Sequence, residues 1–372
     1  MGDATYMKHI VISGINLFEG GTLSIYKDCL ESIIINKLYE KNKITIFVHK
    51  KELFKEYFDK LEVIELPKSR NNYFYRLWYE YIYFYFYSKD RDIDIWLSLH
   101  DITPNVKAKR RYVYCHNASP FYKMEKSEVK FEPKLRLFNL FYKYLYAINI
   151  KKNDYVIVQQ NWIKEEFKRL FSINRVLVAH PNISLNLEEH EAQENISKKD
   201  SKMFFYPSIP RVFKNFEVIC QATRILVEKG VTHFNVVLTM DGKENEYSRY
   251  VVNKYNYLEN INFVGLIKRT EVFDYYNKAD FLIFPSKLES WGLPITEFKL
   301  FNKPLILANL AYAKETLGSY DKAIFFNPIN AEELAEIMET AINDTISWEQ
   351  YETSVAPDSA SWKELLDIIF SY

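Results

Sequence analysis

The feature that most constrains this chain is a regular alternation. Short apolar runs rich in β-branched residues, each too short for a buried helix, are separated by amphipathic stretches with helical spacing. The strand candidates are residues 9–15, 44–48, 63–66, 95–99, 112–115, 155–159 and 176–179, followed by 203–206, 234–239, 261–264, 281–284, 304–308 and 323–326. Helical patterns such as 23–38 and 216–228 lie between them. Alternation of this kind predicts parallel sheets covered by helices, the α/β class.

The two series of strands are separated by residues 182–202, NISLNLEEHEAQENISKKDSK, which are polar, charged and without sustained periodicity. With 372 residues, two domains are expected. The division read from the sequence is a first domain over residues 1–181, a linker over 182–202, a second domain over 203–345 and a helical segment over 346–372 that returns to the first domain. Two doubly wound, Rossmann-like domains joined in this way would face each other across a cleft. Ligands of open α/β sheets bind at the carboxyl ends of the strands.

Charge follows the same division. Residues 1–180 hold 30 Lys+Arg against 21 Asp+Glu, and the remainder hold 19 against 28, so a net charge of zero conceals a basic half and an acidic half. A basic first half suits an anionic membrane surface or a phosphorylated substrate, and equally suits attraction between two domains. Two aromatic segments, 72–89 and 135–152, read as helices. The second sets Lys134, Arg136, Lys143, Lys151 and Lys152 among tyrosines and phenylalanines, the mix of an interfacial helix, although such a face also serves core packing. Cys29, Cys115 and Cys220 have no metal-type spacing and read as reduced thiols. Neither a signal peptide nor a run of 18 apolar residues is present, so the expectation is a cytoplasmic chain, with contact at the cytoplasmic face of the inner membrane as its one approach to lipid.

Only nine glycines occur, none between Gly21 and Gly230, so each surviving glycine is a candidate for a place where no side chain fits. The most specific stretch is residues 280–318, DFLIFPSKLESWGLPITEFKLFNKPLILANLAYAKETLG. A buried strand ends at Pro285 and Ser286. A loop then carries Glu289, Ser290, Trp291 and Gly292, and Leu293 and Pro294 open a helix in whose first turn Glu297 is expected. Free N–H groups at such a helix start favour anionic groups such as a diphosphate. The two carboxylates can accept hydrogen bonds from hydroxyls of a sugar and a ribose.

This pattern resembles the retaining glycosyltransferases of family 4 with the GT-B fold, of the bacterial polysaccharide and O-antigen type: Pro-Ser, a Glu, Gly-Leu-Pro, and a second Glu eight positions after the first. The resemblance implies that Glu289 contacts the donor sugar, that Glu297 holds the nucleotide ribose, and that the amides around Ser290, Trp291, Gly292 and Leu293 meet the sugar and diphosphate. In residues 204–222, FFYPSIPRVFKNFEVICQA, Arg211 and Lys214 precede a helix opening at Asn215. They look like the family's Arg and Lys pair for the leaving diphosphate, with a gap of two residues where four is usual. Gly265, with Leu266 and Ile267, resembles the segment that lines the base pocket. Gly20 and Gly21 open the first long helix where the family has a Gly-Gly beside phosphate or acceptor. His116 ends a strand as the family's histidine near the reacting sugar does, with His100 and Asp101 ranking behind it and His180 read as structural.

The implied function is a retaining, metal-independent hexosyl or deoxyhexosyl transfer from a UDP-, GDP- or dTDP-sugar to a growing glycan, such as a polyprenyl-diphosphate-linked O-antigen or capsule unit. Glu289, Lys214 and His116 are its expected catalytic residues. No cofactor, metal or nucleic-acid partner is expected. Asp90, Asp92 and Asp94 spell Asp-x-Asp but precede a strand instead of following one, and so read as a solvated turn. The alternatives are a nucleotide-sugar epimerase on the same scaffold and a non-catalytic partner in glycan assembly.

Overall fold

The structure, a computed structural model, describes residues 6–181, 201–348, 351 and 355–371, so all but the last two residues of the expected linker lie outside the described residues. Two parallel sheets organise the chain. The first contains β1 (Lys8–Ser13), β2 (Asn42–Val48), β3 (Glu62–Glu65), β4 (Ile95–Ser98), β5 (Arg110–Cys115), β6 (Tyr155–Val158) and β7 (Val176–Val178), in the order β3-β2-β1-β4-β5-β6-β7. The second contains β8 (Lys202–Tyr206), β9 (Phe234–Leu238), β10 (Ile261–Phe263), β11 (Phe281–Phe284), β12 (Leu305–Ala308) and β13 (Ala323–Phe326), in the order β10-β9-β8-β11-β12-β13. Each order grows outward from its first strand in one direction, then reverses. That is the doubly wound arrangement.

Helices cover both sheets. The first half supplies α1 (Gly20–Ile35), α2 (Tyr73–Trp78), α3 (Phe84–Lys89), α4 (Lys126–Val129), α5 (Pro133–Ala147) and α6 (Asn161–Phe171). The second supplies α7 (Phe216–Glu228), α8 (Glu246–Tyr255), α9 (Arg269–Lys278), α10 (Leu293–Lys299), α11 (Ala311–Leu317) and α12 (Ala331–Ile342), followed by α13 (Trp362–Phe370). One π turn, Tyr79–Tyr83, joins α2 to α3 and makes the aromatic segment one interrupted helix.

Strand alternation explains how β1 is buried on both faces. Ile10 and Ile12 pack with Tyr26, Leu30 and Ile33 of α1 and with Leu365, Leu366 and Ile369 of α13. Val11 points the other way, to Phe47, Trp96 and Phe84. Just past β1 the Tyr26 ring lies on Gly14, where an added Cβ would stand 2.3 Å from a ring carbon. The same phenol is 3.1 Å from the carbonyls of Ile12 and Phe47, which fixes the ring and makes glycine necessary.

Two expectations are corrected. By contacts the chain forms two compact units, Met1–Phe121 with Asn139–Ile183 and Ala356–Tyr372, and Tyr122–Phe138 with Ser184–Val355. Residues 122–138, expected in the first domain, therefore belong to the second. The reason is specific packing that periodicity cannot report: Phe131 lies against Tyr247 and Tyr250, with centroids 5.7 and 5.0 Å away. Nor is Asp94 solvated. It is buried, and it accepts hydrogen bonds from the His9 amide at 2.8 Å and from Lys109 Nζ at 2.8 Å. Burial pushes its carboxyl up, but Lys109, the His9 amide and Tyr6 outweigh that and hold it below its ordinary range.

Asp28 on α1 behaves oppositely. Burial first, then neighbouring Glu31, push its carboxyl up to about 6. A raised folded-state value means that stability is complete below the unfolded value near 4 and is lost as pH rises through about 6. Asp28→Asn should match the wild type in melts below pH 4 and exceed it at pH 7, by on the order of 2 kcal/mol. Equal stability at pH 7 would show that Asp28 ionises without penalty.

Candidate active site

Because the second sheet reverses its order between β8 and β11, the loops that follow these two strands leave from adjacent strand ends. They are stitched together. The Lys287 amide donates to the Phe213 carbonyl at 2.7 Å. Asn215 takes a left-handed conformation (φ 59) before α7, and its side-chain amide donates to the Pro285 carbonyl at 3.1 Å and the Pro328 carbonyl at 2.7 Å. The Tyr206 hydroxyl, at the end of β8, donates to the Lys214 carbonyl at 2.9 Å, and that of Tyr312 to the Ser286 carbonyl at 2.7 Å. Asn215 thus spends its amide on the framework.

On this framework Lys214 Nζ stands 2.5 Å from Glu289 Oε1, with both side chains mostly shielded from solvent. The two residues are 75 positions apart and meet only because β8 and β11 are neighbours. Burial, and secondarily the charge of Glu289, push the phenols of Tyr206 and Tyr312 well above their ordinary range, so both remain neutral donors beneath the pair.

After Glu289 the chain runs through half-buried Ser290 to Trp291, whose indole donates to Thr296 Oγ1 at 3.0 Å and whose carbonyl accepts from Thr316 Oγ1. Gly292 (φ 90) caps α10, and a Cβ there would stand 3.2 Å from Ile295 Cδ1. Leu293 is partly exposed at the helix start. Glu297 falls in the second turn of α10, not the first, because the helix begins at Leu293. Its carboxylate is buried and held by Arg269 Nη2 at 2.7 Å and the Tyr276 hydroxyl at 2.8 Å, both from α9. Gly265 (φ 72) lies after β10 with Asp241 3.5 Å from a notional Cβ, and Leu266 is exposed beside it. A cavity of about 420 Å³ also opens in this unit, lined by Glu128, Phe131, Asn215, Glu217 and Tyr247 among others, and neither Lys214 nor Glu289 lines it.

In the first unit the corresponding reversal lies between β1 and β4. Gly20 (φ 59) and Gly21 are exposed at the start of α1, with nothing within 4 Å of an added Cβ. His116 follows β5 and is mostly buried, its Nε2 3.7 Å from Asp101 Oδ2. Asp101 has a left-handed backbone (φ 74), and its Oδ1 accepts the amides of His116 at 2.9 Å and Asn117 at 3.0 Å. The Tyr146 hydroxyl lies 3.1 Å from the same oxygen. Beside it, buried Arg76 donates to the His100 carbonyl at 3.0 Å, and His100 Nε2 is 2.6 Å from buried Glu80.

Comparison with known proteins bears mainly on the second unit. Residues 186–355 match the family described as Glycosyl transferases group 1. The O-antigen chain mannosyltransferase RfbU of Salmonella typhimurium is 20% identical over 228 residues, 59% of this chain and 57% of that protein. The chain spans about half the length of the curated relatives it matches. Among solved structures, the lipopolysaccharide outer core galactosyltransferase WaaB superposes with a TM-score of 0.67 at 13% identity, covering 98% of this chain and 99% of that one. Anabaena HepE in complex with UDP-glucose superposes with a TM-score of 0.53 at 13% identity over 97% and 95% of the two chains. The fold is GT-B.

The structure brings Lys214, Asn215 and Glu289 together, while the neighbouring Arg211 side chain pairs with Glu132. Arg211 reaches Glu132, with Nε 2.8 Å and Nη2 2.5 Å from Oε2. Sequence reasoning also missed Arg269 and Tyr276 as the holders of Glu297, and missed Arg76 and Glu80. The signal for the last two was visible: they are two opposite charges four residues apart inside an otherwise aromatic helix, hence on one face.

Asp101 organises the loop that carries His116. Asp101→Ala should remove the acceptor of two backbone amides and a phenol, lowering unfolding stability by about 2 kcal/mol or more. Chemical denaturation checks it; a loss below about 0.5 kcal/mol would mean that water replaces the carboxylate.

Proposed function

We propose that this chain is a retaining, metal-independent glycosyltransferase that moves a hexosyl or deoxyhexosyl group from a UDP-, GDP- or dTDP-sugar to a growing lipid-linked cell-surface glycan. The observation that carries the reading is the shielded Lys214–Glu289 pair at the strand-order reversal of the unit that matches the group 1 family. HepE, a neighbour in fold, is seen with UDP-glucose, and RfbU is an O-antigen mannosyltransferase; both support a nucleotide-sugar donor and a polysaccharide product.

In this reading the ion pair is the resting state of the site. A donor diphosphate supplies two negative charges that compete with Glu289 for Lys214. Lys214 then neutralises the leaving group, and the released Glu289 accepts hydrogen bonds from the sugar hydroxyls. The bond from the anomeric carbon to the phosphate oxygen breaks as the acceptor oxygen bonds the same face. The acceptor proton passes to the departing diphosphate. Glu297, fixed by Arg269 and Tyr276, retains carboxylate lone pairs for ribose hydroxyls, and His116 is the proposed group for the reacting sugar. Lys214 provides the charge neutralisation for which a metal would otherwise be needed, so transfer should survive excess EDTA.

Exposed apolar residues support an acceptor carried on lipid. Phe74, Trp78, Ile82 and Phe86 are exposed at four-residue spacing along residues 73–89, and Leu140, Phe141 and Tyr144 are exposed on α5. The two helices are neighbours, since Arg76 Nη2 lies 3.3 Å from the Tyr142 hydroxyl. With the surrounding lysines this is an interfacial surface. Among the described residues no helix is long and apolar enough to cross a membrane.

Two measurements test the reading. With UDP and GDP as probes in calorimetry, Lys214→Ala should weaken the nucleotide that the wild type binds by about tenfold or more, whereas Glu289→Gln should bind it as well or better. Glu289→Gln should still lower sugar transfer about a hundredfold; unchanged transfer in both variants would remove the pair from catalysis. Separately, the protein should co-sediment with phosphatidylglycerol-containing vesicles and be partly released by 0.5 M salt, with Phe74→Ser and Phe86→Ser reducing the residual binding. Absence of sedimentation would refute the lipid contact.

A further inference from the structure

Residues Tyr122–Phe138 come from the first half of the chain but are built into the second unit, and their contacts fall on the two loops that hold Lys214 and Glu289. The Glu132 carboxylate receives Arg211 through both Nε and Nη2, and also the Val212 amide at 3.0 Å. The Tyr122 ring meets Phe213 edge-on, with centroids 6.0 Å apart. The residues immediately before Lys214 are thus held from one side by Glu132 and Tyr122. From the other side the Lys287 amide donates to the Phe213 carbonyl.

The second loop is held in the same way. Lys287, two residues before Glu289, places its Nζ 3.1 Å from Glu128 Oε1. Glu128 is itself buried and receives the Tyr122 hydroxyl at 2.7 Å and the Glu125 amide at 2.9 Å. Each member of the Lys214–Glu289 pair therefore has a cation close before it that is neutralised by a carboxylate of one short segment. Phe131, set between Tyr247 and Tyr250 with Lys130 Nζ 5.0 Å above the Tyr250 ring, fastens that segment to α8.

We infer that Tyr122–Phe138 is a positioning clamp for the catalytic pair, that Glu132 and Glu128 are its positioning residues, and that Arg211 serves the clamp instead of binding the donor diphosphate. The inference rests on the transferase reading for its consequence in catalysis, but not for the clamp itself. The Glu132 carboxylate is mostly shielded from water while the Arg211 side chain is 41% exposed, so losing Arg211 leaves a shielded charge with less compensation, and losing Glu132 leaves the Val212 amide without its acceptor. Removing either end of Glu132–Arg211 should consequently loosen the same loop.

The test compares full-length wild type, Glu132→Ala, Glu132→Gln, Arg211→Ala and the double alanine variant. Hydrogen–deuterium exchange at residues 212–216 should rise at least tenfold in Glu132→Ala and Arg211→Ala. It should return most of the way in Glu132→Gln, whose side-chain oxygen still accepts from the Val212 amide, with α12 and β13 unchanged in all. Exchange that is unchanged at 212–216, or raised evenly over the domain, overturns the clamp. In UDP and GDP titrations, the clamp expects both single variants to lose affinity by a similar factor, about fivefold, with the double variant no worse than either, as for residues acting in one unit. If Arg211→Ala weakens binding while Glu132→Ala tightens it, Arg211 is a diphosphate ligand and the inference fails. Should the wild type bind neither of these nucleotides nor dTDP, the transferase reading is what fails, and the exchange result still decides the clamp.

Discussion

The adjacency of β8 and β11 is the constraint on which the second unit depends. A parallel sheet that grows outward from one strand and then reverses leaves two loops side by side at its carboxyl edge, with no helix crossing between them. Everything proposed for the site hangs on those loops: the Lys287–Phe213 backbone bond, the Asn215 amide that ties Pro285 to Pro328, and the ion pair of residues 75 positions apart. Strand pairing supplies the rigidity. A pair of opposite charges shielded from water is tolerated only where the surrounding geometry is held closely, because misplacement leaves each charge partly uncompensated.

The first unit solves a related problem with a different device. Asp101 occupies a left-handed conformation that costs an ordinary residue energy, and its carboxylate collects the amides of the loop after β5. Burial, and then the Asp101 charge, hold the Tyr146 phenol well above its ordinary range, so a neutral hydroxyl faces the carboxylate. The π turn at Tyr79–Tyr83 falls beside the same network: Glu80, inside it, meets His100. Buried polar groups are paired or expensive, and here the pairs converge on the strand ends.

Legibility differed between fold and site for identifiable reasons. The thirteen strands among the described residues could be placed, the central ones such as β4 and β11 because burial on both faces writes a continuous apolar run into the sequence, and α7 begins and ends where its pattern does. The placement of Glu289, Gly292 and Glu297 along one loop and helix start was legible because they lie within one stretch of nine residues whose spacing is itself the signal. Arg211 was not. It is extended before a single 3-10 turn, Val212–Lys214, and the two-residue gap sends its side chain to Glu132. Asp94 was misread because a charged residue looks solvated in sequence even when a distant cation and amide cover it, and the segment Tyr122–Phe138 because its aromatic partners Tyr247 and Tyr250 lie more than a hundred residues away.

By itself, the sequence determined the local chemistry of this protein. Periodicity set the elements, the scarcity of glycine marked turns such as those at Gly265 and Gly292, and the Pro-Ser, Glu and Gly-Leu-Pro spacing marked the loop between β11 and α10. These depend on residues near one another along the chain, where backbone geometry and burial act directly. Only the tertiary structure decided the partners: Lys214 with Glu289, Glu297 with Arg269 and Tyr276, and Glu132 with Arg211. A charge has no periodicity, and its partner is set by which strands are neighbours and which loop leaves beside which, a property of the sheet order that no local window contains.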